Sequence, residues 1–180
     1  MNPLKIINKY YKSDSKAHYF LLEHSKSVTK KALQIAHHTN LKPDLNFIKE
    51  AAMLHDIGMF LTNAPQIGCF GDEPYICHTI LGKELLEKEG FPKHALVCER
   101  HIGVGITAQD IKNKKLPLPE HDMTPISIEE KIISFADLFF SKNKKYLTKE
   151  KPISLIKKQL SVFGKDKLKI FDEWLELFKK

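Results

Sequence analysis

The chain has 180 residues, 42% of them hydrophobic, and a formal net charge of +7, which together are typical of one soluble globular domain (1–180). The three cysteines include no CxxC pair, which excludes a disulfide scaffold and a zinc ribbon. No apolar run approaches the roughly 20 residues that cross a bilayer. We therefore predict a cytoplasmic protein. The excess charge lies in residues 141–180, which carry 12 lysines against 5 acids, but arginine and aromatic residues are sparse there, so nucleic acid is not an expected partner.

Apolar periodicity predicts an all-α fold, because helical spacing recurs along the chain and no alternating strand stands out. In chain order we predict a short opening segment (3–11), helices over 16–38 and 43–57, a loop over 59–73 of the kind that forms lids, helices over 74–89 and 92–101, an irregular segment over 103–124 with a helical turn near 108–113, and helices over 128–140, 152–163 and 165–178. Gly58 is the predicted left-handed cap of the second long helix. Ser127 and Glu130 are spaced as a capping box.

Aspartate and histidine residues lie where these helices turn inward. Asp137 lies on a helix that is apolar on almost every side, where a carboxylate costs several kcal/mol unless it is paired or binds a cation. His55 and Asp56 are adjacent at the last turn of a buried helix, so their side chains diverge by about 100° and reach either side of one point. Imidazole nitrogen and carboxylate oxygen together form a ligand set for zinc, iron, manganese or nickel.

An ordered set of motifs resembles the HD-domain metal-dependent phosphohydrolases, in particular small stand-alone members that contain the HDIG motif. The set covers about residues 20–140 and comprises His24-Ser25, Ala52-Met-Leu-His55-Asp56-Ile57-Gly58, His78-Thr-Ile-Leu-Gly82, Glu99-Arg100-His101-Ile102-Gly103 and Glu129-Glu-Lys131-Ile-Ile-Ser-Phe-Ala136-Asp137. The resemblance implies an HD-domain bundle of about six to eight helices. Lys-rich helices over about 150–180 are expected to pack on this core.

The resemblance also implies roles for individual residues. His24, His55, Asp56 and Asp137 match the ligands of a first divalent metal ion, and His78 and His101 match the additional ligands of a second ion, with Asp56 bridging both. Two ions about 3.5–4 Å apart would hold a hydroxide for in-line attack on phosphorus. We therefore expect His55 and Asp56 to be catalytic, one or two ions of Fe, Mn, Zn or Ni as cofactor, and a nucleotide or another small phosphorylated metabolite as substrate.

Phosphate contacts are harder to assign from the sequence. Lys83, Arg100 and Lys131 are the candidates, and the Arg100 guanidinium could offer a bidentate fork, although each of the three also fits an ordinary surface position. Many HDIG proteins have a lysine directly after the motif, but this chain has Met59, which argues against a cyclic-dinucleotide substrate. His18, His37, His38 and His94 are predicted to lie on the surface.

Two other functions stay open at this stage. One is a diiron oxygenase, because a minority of HD proteins with a similar ligand order, such as inositol oxygenase, activate dioxygen. The other is a non-catalytic metal-binding signalling module that uses the Lys-rich end for a partner.

The amphipathic terminal helices could supply a homodimer surface. Asp56 and Asp137 are expected to repel each other without metal, so Asp56→Ala is expected to stabilise the metal-free protein.

Overall fold

The computed structural model describes residues 1–178 and confirms the all-α class. The described residues form nine α-helices, more than the six to eight expected, because the opening segment and the turn near residue 110 both fold as helices. They are α1 (Pro3–Tyr10), α2 (Lys16–His38), α3 (Leu45–Leu54), α4 (His78–Lys88), α5 (Pro92–Arg100), α6 (Ala108–Lys114), α7 (Ile128–Asp137), α8 (Ile153–Ser161) and α9 (Lys165–Leu177). No helix in this part of the chain is long and apolar enough to cross a membrane. The last two residues of the predicted Lys-rich segment, 179 and 180, lie outside the described residues.

Side-chain caps fix the start of α7 and α6. The Ser127 hydroxyl accepts a hydrogen bond from the Glu130 N–H, which is half of the predicted capping box. The other half is wrong, since the Glu130 carboxylate accepts from the N–H of Ile126 instead. A complete capping box is present at α6, where Thr107 and Asp110 each accept a hydrogen bond from the other's N–H.

The segment between α3 and α4 is folded rather than an irregular loop. It begins with a 3-10 helix (Ile57–Leu61) and continues into two short antiparallel strands, β1 (Asn63–Ala64) and β2 (Cys69–Phe70), in which Ala64 pairs with Cys69. Further 3-10 turns cover Pro65–Ile67 and Tyr75–Cys77. Met59, Ala64, Ile67 and Cys69 are buried in an apolar cluster. Most of the predicted lid is therefore part of the packed structure.

Gly58 permits a close backbone approach and is not a left-handed cap, because its φ is not positive and α3 ends earlier, at Leu54. A Cβ atom at position 58 would lie 2.4 Å from both the Gly82 nitrogen and the His78 carbonyl oxygen. Only glycine therefore lets the 3-10 helix pack this tightly against α4. The approach places the His55-Asp56 pair next to His78.

We expect Gly58→Ala to lower the free energy of unfolding by about 2 kcal/mol, because backbone atoms of α4 must move to make room for the methyl group. Gly82→Ala is the matched variant, and its Cβ would meet its nearest neighbours at the milder distances of 3.2 to 3.4 Å. Urea unfolding followed by circular dichroism measures both losses. A loss for Gly58→Ala no larger than that for Gly82→Ala would contradict the close-approach argument.

Two large apolar clusters hold the helices together, and α2 contributes to both. The first joins α2, α3 and α7 with Ile156, Leu160, Phe171 and Trp174 of the two C-terminal helices. The second joins α1, the start of α2, α4 and α5. His24 lies on α2 between Leu21 of the second cluster and Val28 of the first. The predicted ligand site therefore lies where the two clusters meet.

Candidate metal centre

Five helices bring the six predicted ligand residues together. They are His24 in the middle of α2, His55 and Asp56 directly after α3, His78 at the start of α4, His101 directly after α5, and Asp137 at the end of α7. Five of the six are almost completely buried, and the Asp137 side chain is 17% exposed. These residues lie far apart in the sequence, so the fold itself assembles the cluster.

Four ligand atoms converge in a first group. The Nε2 atoms of His24 and His55 lie 3.3 Å apart. Asp56 Oδ2 lies 3.2 Å from the His24 nitrogen and 2.9 Å from the His55 nitrogen. Asp137 Oδ1 lies 2.8 Å and 3.6 Å from the same two nitrogens. Two imidazoles and two carboxylates around one point form a complete ligand set for a divalent transition metal.

The second oxygen of Asp56 faces a second group. Asp56 Oδ1 lies 3.1 Å from Nε2 of His78 and 3.6 Å from Nε2 of His101, and these two nitrogens lie 3.3 Å apart. His55, Asp56 and His101 also offer ligand atoms within 4.8 Å of one another. The two oxygens of Asp56 thus point into two adjacent groups of histidine nitrogens, which is the arrangement of a bridging carboxylate.

Backbone carbonyls hold three of the four rings in the orientation that a metal ligand needs. Nδ1 of His55, His78 and His101 lies 2.7, 2.6 and 2.8 Å from the carbonyl oxygen three residues earlier. A carbonyl oxygen only accepts, so Nδ1 carries the hydrogen and Nε2 of the neutral ring has a free lone pair. For His55 and His101 the accepting carbonyl belongs to the last turn of a helix, where it would otherwise lack an intrahelical partner.

Three helices end at the cluster and favour positive charge there. The helices α3, α5 and α7 reach the site with their C-terminal ends, at His55, His101 and Asp137. The C-terminus of a helix carries about half a negative charge from its unpaired carbonyl groups. One helix, α4, begins at the cluster with His78 and acts in the opposite direction, but the three C-terminal ends outnumber it, so the helix dipoles in sum add to the attraction that the two carboxylates exert on a cation.

The pKa values of the titratable groups in the cluster are shifted by burial and by the two carboxylates. Burial opposes ionisation of Asp56 and Asp137, but the neighbouring histidines and Lys142 hold the pKa of both carboxyl groups well below the usual range. Burial lowers the pKa of His101 to about 4, so its ring is neutral. Burial also lowers the pKa of His55, but the two carboxylates outweigh it and raise the pKa to about 10. The negative charge that keeps a proton on His55 would also attract a divalent ion, which would displace that proton when it binds.

The buried carboxylate oxygens of the cluster fit a metal ion. Both oxygens of Asp56 and Oδ1 of Asp137 are buried and make no hydrogen bond in the described part of the chain, although Lys142 forms an ion pair with Oδ2 of Asp56. Buried polar atoms nearly always have a hydrogen-bond partner, so carboxylate oxygens that face imidazole nitrogens without one suit a cation. The residues present therefore fit a divalent ion in the first group and a second one across Asp56.

Lys142 also belongs to the site, although the sequence analysis did not single it out. Its ammonium group forms an ion pair with Oδ2 of Asp56, and its side chain is only 16% exposed. Burial lowers the pKa of Lys142, but Asp56, Tyr75 and Asp137 outweigh it and raise the pKa above the usual value. Lys142 therefore keeps its positive charge next to the ligand cluster.

A cavity of about 600 Å³ opens over the cluster. His24, His78, His101 and Asp137 form its floor, and Phe20, Tyr75 and Phe140 contribute aromatic walls. Three lysines line it as well: Lys16, Lys142 and Lys144. The volume is in the range of small-molecule binding sites.

The three predicted phosphate contacts lie elsewhere. The Lys83 ammonium is 2.6 Å from Glu99 Oε1, and the Arg100 guanidinium is 3.3 Å from Glu130 Oε2. Lys131 is half-buried on α7. None of the three is among the residues that line the cavity. Their cationic groups are thus not placed to meet a substrate over the metal-ligand cluster.

Two further expectations can be compared with the structure. Met59, at the position of the usual HDIG lysine, is fully buried in an apolar cluster and does not line the cavity. The prediction that His94 lies on the surface is wrong, because its ring is buried against Phe47 and Phe91, with Nε2 3.3 Å from Glu50 Oε2. His37 and His38 are exposed as predicted, and His18 is half-buried.

Comparisons with known proteins identify a family and three relatives of this chain. A model of the HD domain family matches residues 21–140. The chain is 34% identical over 143 residues to a tRNA (cytidine(56)-2'-O)-methyltransferase of Thermoplasma volcanium, an alignment that covers 79% of this chain and 36% of that protein. It is 35% identical over 118 residues to a methyltransferase of the same name from Picrophilus torridus, with 65% and 30% covered.

A third relative is an uncharacterized protein of Methanocaldococcus jannaschii, which is 35% identical over 121 residues, or 65% of this chain and 64% of that protein. The chain therefore spans about a third of the length of the two methyltransferases and less than two thirds of the third relative. No solved structure matches the chain significantly.

Proposed function

This chain belongs to the HD domain family, and on that premise we propose that it is a metal-dependent phosphohydrolase that cleaves a phosphate ester of a nucleotide or another small phosphorylated metabolite. The observation that carries the proposal is the position of Asp56, whose two oxygens face two separate groups of histidine nitrogens. We assign His24, His55, Asp56 and Asp137 to a first divalent ion. Asp56 would also contribute to holding a second ion, for which His78 and His101 would be the remaining ligands.

Two divalent ions that share a carboxylate supply Lewis acidity toward phosphate oxygens and make water nucleophilic at neutral pH. The chain's own residues contribute the geometry. The carbonyls of Ala52, Tyr75 and Cys98 hold three imidazole rings in place, so these ligands need little reorganisation when a substrate arrives. Lys142 adds a fixed positive charge at the edge of the cluster, where a phosphate oxygen is attracted.

Methyl transfer, the activity in the names of two relatives, is not the function we propose. The chain spans only 36% and 30% of those proteins. The histidine and aspartate cluster lies inside the segment that the HD domain model matches.

A cytoplasmic location, a homodimer and the absence of a nucleic-acid partner stay predictions.

Phosphate release from the metal-loaded protein tests the proposal. The protein is loaded separately with manganese, iron, zinc or nickel, its ion content is measured by elemental analysis, and it is assayed on nucleotides, sugar phosphates and other phosphate esters. We expect close to two ions per chain and release of phosphate from at least one class of ester. Absence of turnover on the whole panel, with both ions bound, would overturn the proposal.

Oxygen uptake by the iron-loaded sample separates hydrolysis from the oxygenase alternative. Asp137→Asn should abolish phosphate release, whereas Asp72→Asn changes an exposed aspartate outside the cavity and should leave release unchanged. Equal losses in the two variants would show that the measured activity does not come from this site.

A further inference from the structure

The cavity over the ligand cluster has an uneven charge balance. Among the described residues that line it, Asp137 is the only carboxylate, and it belongs to the metal-ligand set. Three lysine side chains line the same cavity. A site in which the remaining charged groups are all cationic attracts an anion.

Lys142 lies deepest of the three. Its ammonium group contacts Asp56 and its side chain is largely buried, so it stands between the ligand cluster and the open part of the cavity. A buried ammonium group costs several kcal/mol unless it is paired. A phosphate group over the metal centre would share this ammonium group with Asp56 and gain a charge-assisted hydrogen bond.

Lys16 and Lys144 differ from Lys142 because they are exposed at the cavity mouth. Neither forms an ion pair with a carboxylate in the described part of the chain, whereas Lys83 and Lys167 are paired with Glu99 and Asp110. Lys16 is the first residue of α2, and Lys144 lies in the segment that follows α7. Two lysine side chains from separate segments, neither of them ion-paired, thus line the same cavity.

We propose that the substrate of this site is a small molecule with at least two phosphate groups, such as a nucleoside diphosphate or a sugar bisphosphate. Lys142 binds the phosphate that reacts at the metal centre, and Lys16 and Lys144 bind a second phosphate at the mouth. The inference rests on the proposed hydrolase function and narrows its substrate class. A ligand with one phosphate uses Lys142 alone and gains nothing from the two outer lysines.

Binding of two phosphonates to the manganese-loaded protein tests this substrate class without relying on turnover. Methylphosphonate carries one anionic group and methylenediphosphonate carries two, and their P–C bonds resist hydrolysis. We expect the diphosphonate to bind at least about 10-fold more tightly in isothermal titration, which corresponds to about 1.4 kcal/mol. Because a diphosphonate also chelates metal ions, the ion content of the protein is measured again after each titration.

Variants identify the residues responsible. Lys16→Gln combined with Lys144→Gln should remove most of the preference for the diphosphonate and leave methylphosphonate binding unchanged. Lys12→Gln combined with Lys145→Gln is the matched control, because both residues are exposed, lie outside the cavity lining and remove the same total charge. Lys142→Gln should weaken both ligands by about 10-fold.

Equal affinity of the wild type for the two ligands, or an equal loss of preference in the control pair, would overturn the inference. If methylphosphonate binds and phosphate esters are hydrolysed while no preference is found, the substrate class fails and the proposed function stands. If neither ligand binds and no ester is hydrolysed, the proposed function fails and the substrate class fails with it.

Discussion

Asp56→Asn is expected to lower hydrolytic activity about 1,000-fold and to leave at most one ion per chain. The reason is geometric, because Oδ2 of Asp56 faces His24 and His55 while Oδ1 faces His78 and His101. An asparagine side chain keeps the shape but offers one oxygen and no charge. Elemental analysis and phosphate release measured on the same sample check both parts of the expectation. Two ions per chain in the variant would contradict the bridging role of Asp56.

The same substitution is expected to destabilise the metal-free protein by about 3 kcal/mol, because it leaves the buried Lys142 ammonium without its partner. This reverses the expectation drawn from the sequence, in which Asp56 and Asp137 repel each other. The structure favours the opposite sign, since histidines and Lys142 surround both carboxyl groups and keep the pKa of each one low despite burial. Attraction outweighs repulsion at this site.

Urea unfolding in the presence of a chelator measures the loss. Asp56→Asn combined with Lys142→Met removes both charges and should recover a large part of the stability, as in a double-mutant cycle. Asp72→Asn, at an exposed position, should change little. A metal-free Asp56→Asn protein that is more stable than the wild type would restore the repulsion argument.

Local signals in the sequence indicate Asp137 and the His55-Asp56 pair, whereas the ligand roles of His24, His78 and His101 follow from the resemblance to the HD family. The helix over 16–38 that carries His24 is confirmed with the same bounds. Asp137 lies on a helix that is apolar on almost every side, so a carboxylate stands out there. His55 and Asp56 are an adjacent pair at the end of a helix. Such patterns depend on a few consecutive turns of helix, so they can be recognised without knowledge of the tertiary structure.

Lys142 could not be predicted in this way, because its burial depends on how the chain returns after α7. The Ser141 N–H donates to the Tyr146 carbonyl and the Lys151 N–H donates to the Phe139 carbonyl, so the segment folds back on the end of α7. This segment has no helical periodicity, and a lysine among other lysines is ordinarily solvated. Lys83 and Arg100 are the opposite case, because their charged groups are already paired with the buried carboxylates of Glu99 and Glu130. The sequence does not reveal these partners, so both residues are plausible phosphate contacts until the fold is known.

Replacing both His78 and His101 by alanine is expected to reduce the ion content from two per chain to one and to lower hydrolytic activity about 100-fold. These two rings supply the only nitrogen atoms that face Oδ1 of Asp56 within 3.6 Å in the described residues. The first group keeps all four of its ligand atoms in the variant. A single ion can still polarise a phosphate oxygen, but the clamp across two oxygens is lost, so activity should fall without disappearing.

His94→Ala is the matched control for the loss of a buried imidazole. His94 lies on α5, about two turns before His101, yet its ring contacts Glu50, Phe47 and Phe91 instead of the cluster. We expect it to lose stability but to keep two ions and the wild-type activity per folded molecule.

If the wild type itself binds one ion and the double variant also binds one with unchanged affinity, His78 and His101 are not metal ligands. Their Nε2 atoms, which line the cavity floor, would then be left to contact the substrate directly.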